Sequence, residues 1–107
     1  IRDLSRDRFI LSKGHAAAIY YVTLAEYGFI PKEWLQSYCQ FGSKLGGHSS
    51  HTVPGVEFSS GSLGHGLPAG VGMALGAKRA GKGYRVVVLM SDGEINSGAN
   101  WEAIMMA

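Results

Sequence analysis

The chain is 107 residues long, with 10 Lys and Arg against 8 Asp and Glu, 46% hydrophobic residues, 16 Gly and one Cys. That length holds at most one small domain, and the hydrophobic share excludes a disordered chain. A formal charge of +2 leaves no electrostatic footprint for nucleic acid or an anionic membrane. The lone Cys39 excludes an internal disulfide, which favours a reducing, cytoplasmic setting.

Phe58 to Ala77 lacks Lys, Arg, Asp and Glu, but its six Gly, three Ser, one His and one Pro are not the ~20 mainly apolar residues of a membrane span. The opening IRDLSRDR, charged in both signs, is not a signal peptide. The chain starts without Met and stops in the apolar run Ala103 to Ala107. The expectation is a piece of a longer protein, incomplete at both ends, and inactive and poorly folded alone.

From Gly14 the pattern is helical, with Ala16, Ile19, Tyr20, Thr23, Leu24 and Tyr27 as the expected buried stripe and Gly28 as the stop. A second helix is predicted from Pro31 through Trp34, Leu35 and Tyr38 to about Phe41. Gly42 to Gly66 reads as loop, with a short extended piece at Val56 to Phe58. A third helix, Leu67 to Arg79, ends at Gly81 and contains Gly70, Gly72 and Gly76, each costing about 1 kcal/mol relative to Ala. Such a helix requires close packing against its backbone. Arg85 to Met90 is a β-branched run, apolar on both faces, and is predicted to be a central parallel strand covered by helices. Ser91 to Gly98 is a turn, and a fourth helix begins near Ala99, with Ser97 placed as its N-cap. This grammar is that of an open α/β sheet, whose ligands sit at the carboxyl ends of the strands.

That position is Ser91-Asp92-Gly93-Glu94. Asp92 there suits a hard cation such as Mg2+, and the Gly93 N–H suits a phosphate at the following helix; Asp-Gly is also an ordinary turn pair. Gly61-Ser62-Leu63-Gly64-His65-Gly66 is a tight loop whose main chain can approach a flat or anionic ligand. His15, His48, His51 and His65 all stand beside Gly or Ser, which suits a site for phosphate or a hydroxylated substrate. His48-Ser-Ser-His51 lacks the further ligands a zinc site needs. Gly76 to Gly83 nearly matches a phosphate-binding P-loop, but Gly83 replaces the required Ser or Thr, and the segment precedes a strand instead of following one.

Taken in order, Arg8-Phe9-Ile10-Leu11-Ser12-Lys13-Gly14-His15, Gly47-His48, the Gly61 to Gly66 loop and Ser91-Asp92-Gly93-Glu94 with Gly98 and Glu102 resemble the thiamine diphosphate-binding region of transketolase. The loop most resembles transketolases split into two subunits, in the amino-terminal one. The resemblance implies that residues 1–107 are a partial thiamine diphosphate-binding (pyrophosphate) domain, an open parallel sheet covered by helices. His15 would contact the diphosphate, and His48 the donor sugar's hydroxyl near the reacting carbon. Gly61, Ser62 and Leu63 would line the cofactor rings. Asp92 would ligate Mg2+ (or Ca2+), and the Gly93 N–H would face the diphosphate. The implied reaction is ketol transfer between a ketose phosphate and an aldose phosphate. The activating glutamate would come from a second subunit or a carboxyl-terminal domain, in a homodimer or a heterotetramer of split subunits, with neither nucleic acid nor membrane as partner. Two departures stand out: Ser91 replaces the family's Gly, read as neutral, and Ser97 replaces a Glu that links the two cofactor sites. Competing readings are another thiamine diphosphate enzyme, such as a deoxyxylulose phosphate synthase or a pyruvate dehydrogenase component, and a non-catalytic transketolase-like interaction subunit. The paired Gly-His segments and the Gly61 to Gly66 loop argue against the first.

Overall fold

The computed structural model describes residues 3–107; Ile1 and Arg2, at the head of the charged opening segment, lie outside the described residues. Two strands, β1 (Arg8–Leu11) and β2 (Val86–Leu89), pair in parallel with Arg8 opposite Val86 and Leu11 opposite Leu89. β2 answers the predicted strand. β1 is additional, because four residues beginning with an arginine are too short to show a period. Asp7 and Arg85 fasten the amino-terminal end: the Arg85 N–H donates to Asp7 Oδ1 at 2.7 Å, and its Nε and Nη2 donate to Oδ2 at 2.9 and 2.6 Å. At the carboxyl end the Ser12 N–H donates to the Leu89 carbonyl at 2.9 Å, carrying the pairing one residue beyond β1.

Side chains alternate across this pleat. Ile10, Val86 and Val88 meet helix α2 (Gly66–Arg79), where a Cβ on Gly70 would lie 2.6 Å from Val88 Cγ2 and 3.7 Å from Ile10 Cδ1. Glycine at 70 therefore sets the helix-to-sheet distance. A Cβ on Gly72 or Gly76 would meet nothing within 4 Å, so close packing does not account for these two. The helix ends in a Schellman pair, Lys82 N–H to Ala77 carbonyl at 2.9 Å and Gly81 N–H to Lys78 carbonyl at 3.2 Å, with Gly81 at φ +63°.

Phe9, Leu11, Val87 and Leu89 alternate onto the other face. Helix α1 (Ala17–Glu26), which follows a 3-10 turn at Gly14–Ala16, covers only the β1 half, with the Phe9 and Tyr20 rings 5.3 Å apart. The core lies there, where Leu11, Tyr21 and Leu24 pack with Leu45, Val53 and Val56 from the long loop. The β2 half stays open, with Val87 and Leu89 about half exposed, and Leu89 lines an apolar groove of ≈ 430 Å³ together with Ile19 and Thr23. The expectation that β2 is covered on both faces is thus met on the α2 face alone among the described residues.

Three local expectations are corrected. The buried stripe of α1 is Ala17, Tyr20, Tyr21, Leu24 and Ala25, while Ile19 is 64% and Tyr27 79% exposed. Both stripes have helical spacing and share Tyr20 and Leu24, and a helix this apolar all round gives periodicity no means to choose. The predicted helix from Pro31 to Phe41 is only a 3-10 turn, Lys32–Ser37. It stops because Tyr38 is extended and Cys39 sits at φ +57°, turning the chain so that the Cys39 N–H reaches the Leu45 carbonyl at 2.9 Å. Val56 to Phe58 forms no strand; Val56 is buried in the core of a loop held by packing. After β2 come a 3-10 turn, Gly93–Asn96, and helix α3, Gly98–Met106. Among the described residues no helix is long and apolar enough to cross a membrane.

Candidate functional site

Both strands release their chains at the same end of the sheet, so the segments after Leu11 and after Leu89 begin side by side. Between them lies Glu94, 2% exposed and carrying no cationic partner among the described residues. Its Oε1 accepts the Ser12 hydroxyl and the Gly64 N–H, the latter at 3.1 Å. Its Oε2 accepts the Ser91 N–H at 2.8 Å and the Ser91 hydroxyl at 2.9 Å. Burial by itself pushes the carboxyl up. The bonds from Ser12, then from Ser91 and Gly64, outweigh burial and hold it below the usual carboxylate range.

Further contacts complete this frame. The Ser12 hydroxyl also accepts the Gly66 N–H at 3.2 Å, at the first residue of α2. Gly66 is glycine of necessity, since a Cβ there would overlap the Ser12 side chain and come within 2.8 Å of Ser12 Cα. Gly64, at φ +82°, has no room for a Cβ beside Ser97 Oγ and Cβ. Asn100 is fully buried and its Nδ2 donates to the Glu94 carbonyl at 2.6 Å. On the other side, the Ser49 and Ser60 hydroxyls lie 2.6 Å apart, and the Tyr21 hydroxyl donates to the His48 carbonyl at 3.0 Å. Burial, with Tyr38 nearby, pushes the Tyr21 hydroxyl up, so it stays a donor.

The residues singled out from the sequence sit on the exposed rim of this frame. His15 lies in the 3-10 turn after β1, exposed. His48 comes against its neighbour: a Cβ on Gly14 would lie 2.9 Å from His48 Cδ2, so the two Gly-His segments meet through ring and main chain. Gly61, Ser62, Leu63, Asp92 and Gly93 are exposed as well. His51 belongs elsewhere, its Nδ1 2.7 Å from Ser59 Oγ. Sequence reading misses Glu94, Ser12 and Tyr21 as site residues. For Glu94 a signal exists: Ser91-x-x-Glu94 has the spacing of a capping box, in which the acid reaches back to the serine N–H, as it does here. Ser91, read as a neutral replacement, supplies a hydroxyl that glycine lacks. Ser97 occupies the N-cap position, extended at φ −68° and ψ 130°, but its side chain makes no capping bond.

This rim fits a diphosphate cofactor with a divalent cation. A Cβ on Gly61 or Gly93 would meet nothing within 4 Å, leaving the main chain at both free to lie against a ligand. Asp92 has no ion-pair partner among the described residues and presents hard oxygens. Among those residues no three His, Cys, Asp or Glu form a ready cage. Mg2+ suits such a place, since it is held by one or two carboxylates together with phosphate and water.

Parallel strands covered by a glycine-bearing helix, with a glycine-lined rim at their carboxyl ends, define an open α/β ligand-binding domain. The family of the transketolase thiamine diphosphate-binding domain matches residues 2–107. The chain belongs to that family. It is 52% identical over 103 residues to the A subunit of apulose-4-phosphate transketolase from Actinobacillus succinogenes, covering 95% of this chain and 37% of that protein. It is 43% identical over 107 residues to the transketolase of Mus musculus, covering 99% of this chain and 17% of that one. The crystal structure of transketolase from Campylobacter jejuni superposes with a TM-score of 0.93 at 35% identity, over 97% of this chain and 18% of that chain. The chain therefore spans somewhat over a third of the apulose-4-phosphate relative and under a fifth of the longer transketolases.

Proposed function

We propose that residues 1–107 are part of the pyrophosphate-binding domain of a split transketolase, acting with thiamine diphosphate and Mg2+ (or Ca2+). The reaction moves a two-carbon ketol unit from a ketose phosphate to an aldose phosphate. One observation supports this reading: His48 lies against Gly14, while the Gly64 loop and the Ser91 segment that leads into Asp92 are both held by the Glu94 carboxylate. The split form is supported by 52% and 48% identity to two proteins that bear the name of the A subunit of apulose-4-phosphate transketolase.

In this reading Asp92 holds the cation, and the Gly93 N–H and His15 bind the diphosphate, so the bound anion is met by charge-assisted donors. Gly61, Ser62 and Leu63 line the rings; Leu63 supplies apolar surface, and the two small residues allow close approach. His48 donates to a donor-sugar hydroxyl beside the reacting carbon. The cofactor, when bound, supplies the carbanion chemistry that breaks and re-forms the carbon–carbon bond. A partner subunit completes the site with the activating glutamate, in a heterotetramer of split subunits or, with joined halves, a homodimer.

The test is titration of thiamine diphosphate with Mg2+ into the full-length protein and its partner subunit. Asp92→Asn weakens binding by about ten- to a hundredfold, the loss of one charge-assisted contact. His15→Ala raises the cofactor Kd. His48→Ala leaves that Kd in place and lowers turnover with the donor sugar. Wild-type protein that takes up no thiamine diphosphate in the presence of Mg2+ overturns the reading. If His48→Ala loses only cofactor affinity, His48 does not serve the sugar.

A further inference from the structure

A buried carboxylate without a cation costs free energy unless several donors offset its desolvation. Glu94 has four, and they come from three separate places: the residue after β1, the glycine loop, and the segment that follows β2. Each place leads directly into part of the rim. Ser12 precedes Gly14 and His15 by a short step, Gly64 follows Leu63, and Ser91 precedes Asp92. We propose that Glu94 is a positioning residue, whose carboxylate fixes the three rim segments relative to one another and so sets the shape of the cofactor site. The proposal rests on the thiamine diphosphate reading above, and adds to it a residue that would touch neither cofactor nor cation.

The geometry explains why charge, and not only shape, is needed. Every one of the four partners presents hydrogen to the carboxylate, and two of them are main-chain N–H groups that cannot turn away. A carboxamide of the same size places an NH2 against the Gly64 N–H in one orientation and against the Ser91 N–H in the other. Either way one main-chain donor loses its acceptor, buried at Gly64 and half-buried at Ser91, and one loop is released. Ser12 passes the constraint on: its hydroxyl donates to Glu94 while accepting the Gly66 N–H, so the start of α2 is tied to the same point. Ser91 adds a fourth donor that glycine would lack.

The experiment uses the full-length protein with its partner subunit. For Glu94→Gln, the Kd for thiamine diphosphate at fixed Mg2+ rises by about tenfold or more, while turnover at saturating cofactor stays within about threefold. That split marks a site whose shape must be restored by binding, because a scaffold defect alone lowers the melting temperature and leaves the Kd of the folded fraction unchanged. Ser12→Ala is the second variant, removing one donor and leaving three; it raises the Kd by about three- to tenfold. Combining it with Glu94→Gln costs less than the product of the single effects, since both act on one contact. If Glu94→Gln does not fold, Ser12→Ala alone decides. Wild type that binds with either variant folded and unchanged in Kd overturns the proposal and spares the cofactor reading. Wild type that does not bind overturns that reading first, and the proposal with it.

Discussion

Helix α2 carries glycines in two kinds of surroundings, which gives opposite expectations for one substitution. At Gly66 a Cβ would overlap Ser12 Cβ and Oγ and lie 2.8 Å from Ser12 Cα. The obstacle includes main chain, so no rotamer relieves it. Overpacking of this kind costs about 1–3 kcal/mol. Separating the two segments also strains the Gly66 N–H to Ser12 bond, worth about 1 kcal/mol. The helix propensity of Ala returns at most about 1 kcal/mol, and less at a first helical position. Gly66→Ala is therefore expected to destabilise by about 1–4 kcal/mol. Gly76, on the exposed part of the same helix, would meet nothing within 4 Å, and Gly76→Ala is expected to stabilise by up to about 1 kcal/mol. Both variants are made in the full-length protein and compared by equilibrium denaturation, reading the midpoint at unchanged slope. Equal signs for the two substitutions refute the claim that approach to Ser12 fixes the residue at 66.

Ser91→Gly removes the hydroxyl donor to Glu94 but keeps the N–H, so a loss of about 1 kcal/mol beyond the glycine's own entropy cost is expected by denaturation. Ser97→Ala is expected to cost under about 0.5 kcal/mol instead of the ~1 kcal/mol of a capping serine, because the side chain caps nothing; a full capping loss refutes this. Gly64→Ala meets both a positive φ and the Ser97 side chain, so it is expected to destabilise by more than Gly66→Ala, and to weaken thiamine diphosphate uptake with it. Burial, with Glu57 nearby, raises the Tyr20 hydroxyl to about 12 in the folded protein, against the ordinary 10.0. The unfolded chain releases that proton first, so this contribution is whole below pH 10 and is lost as pH rises through about 12. Tyr20→Phe, which also lacks the bond to the Gly55 carbonyl at every pH, should lose less stability than wild type between about pH 10 and about pH 12, measured by denaturation at each pH.

What is legible in the sequence is the part written in composition and order. Val86 to Leu89, the α2 span and the start of α3 each carry a local signal: a β-branched run, a glycine stop, a helix after an acidic turn. The residues of the rim emerge through motif order, since exposed Asp92 and His15 have no periodicity to reveal them. Long-range contacts decide what is illegible. β1 exists because β2, 78 positions further along the register, offers it a partner edge. The segment after Pro31 has helical spacing, but Cys39 turns back to Leu45, and that contact outweighs a weak helix preference.

Glu94 shows how far the two kinds of information diverge at the site itself. By charge and by its place in a polar turn, it reads as a surface acid, a residue type almost never fully buried without partners. Its burial becomes tolerable only when Ser12, Gly64 and Ser91 converge on it with their hydrogens, two of them from distant parts of the chain. The exposed residues of the rim need no such convergence to be stable, so selection for ligand chemistry can act on them singly. Their relative placement, however, depends on a carboxylate whose donors arrive from three segments. A substitution at Glu94 is thus expected to perturb His15, Leu63 and Asp92 together, whereas a substitution at any one of those leaves the other two in place.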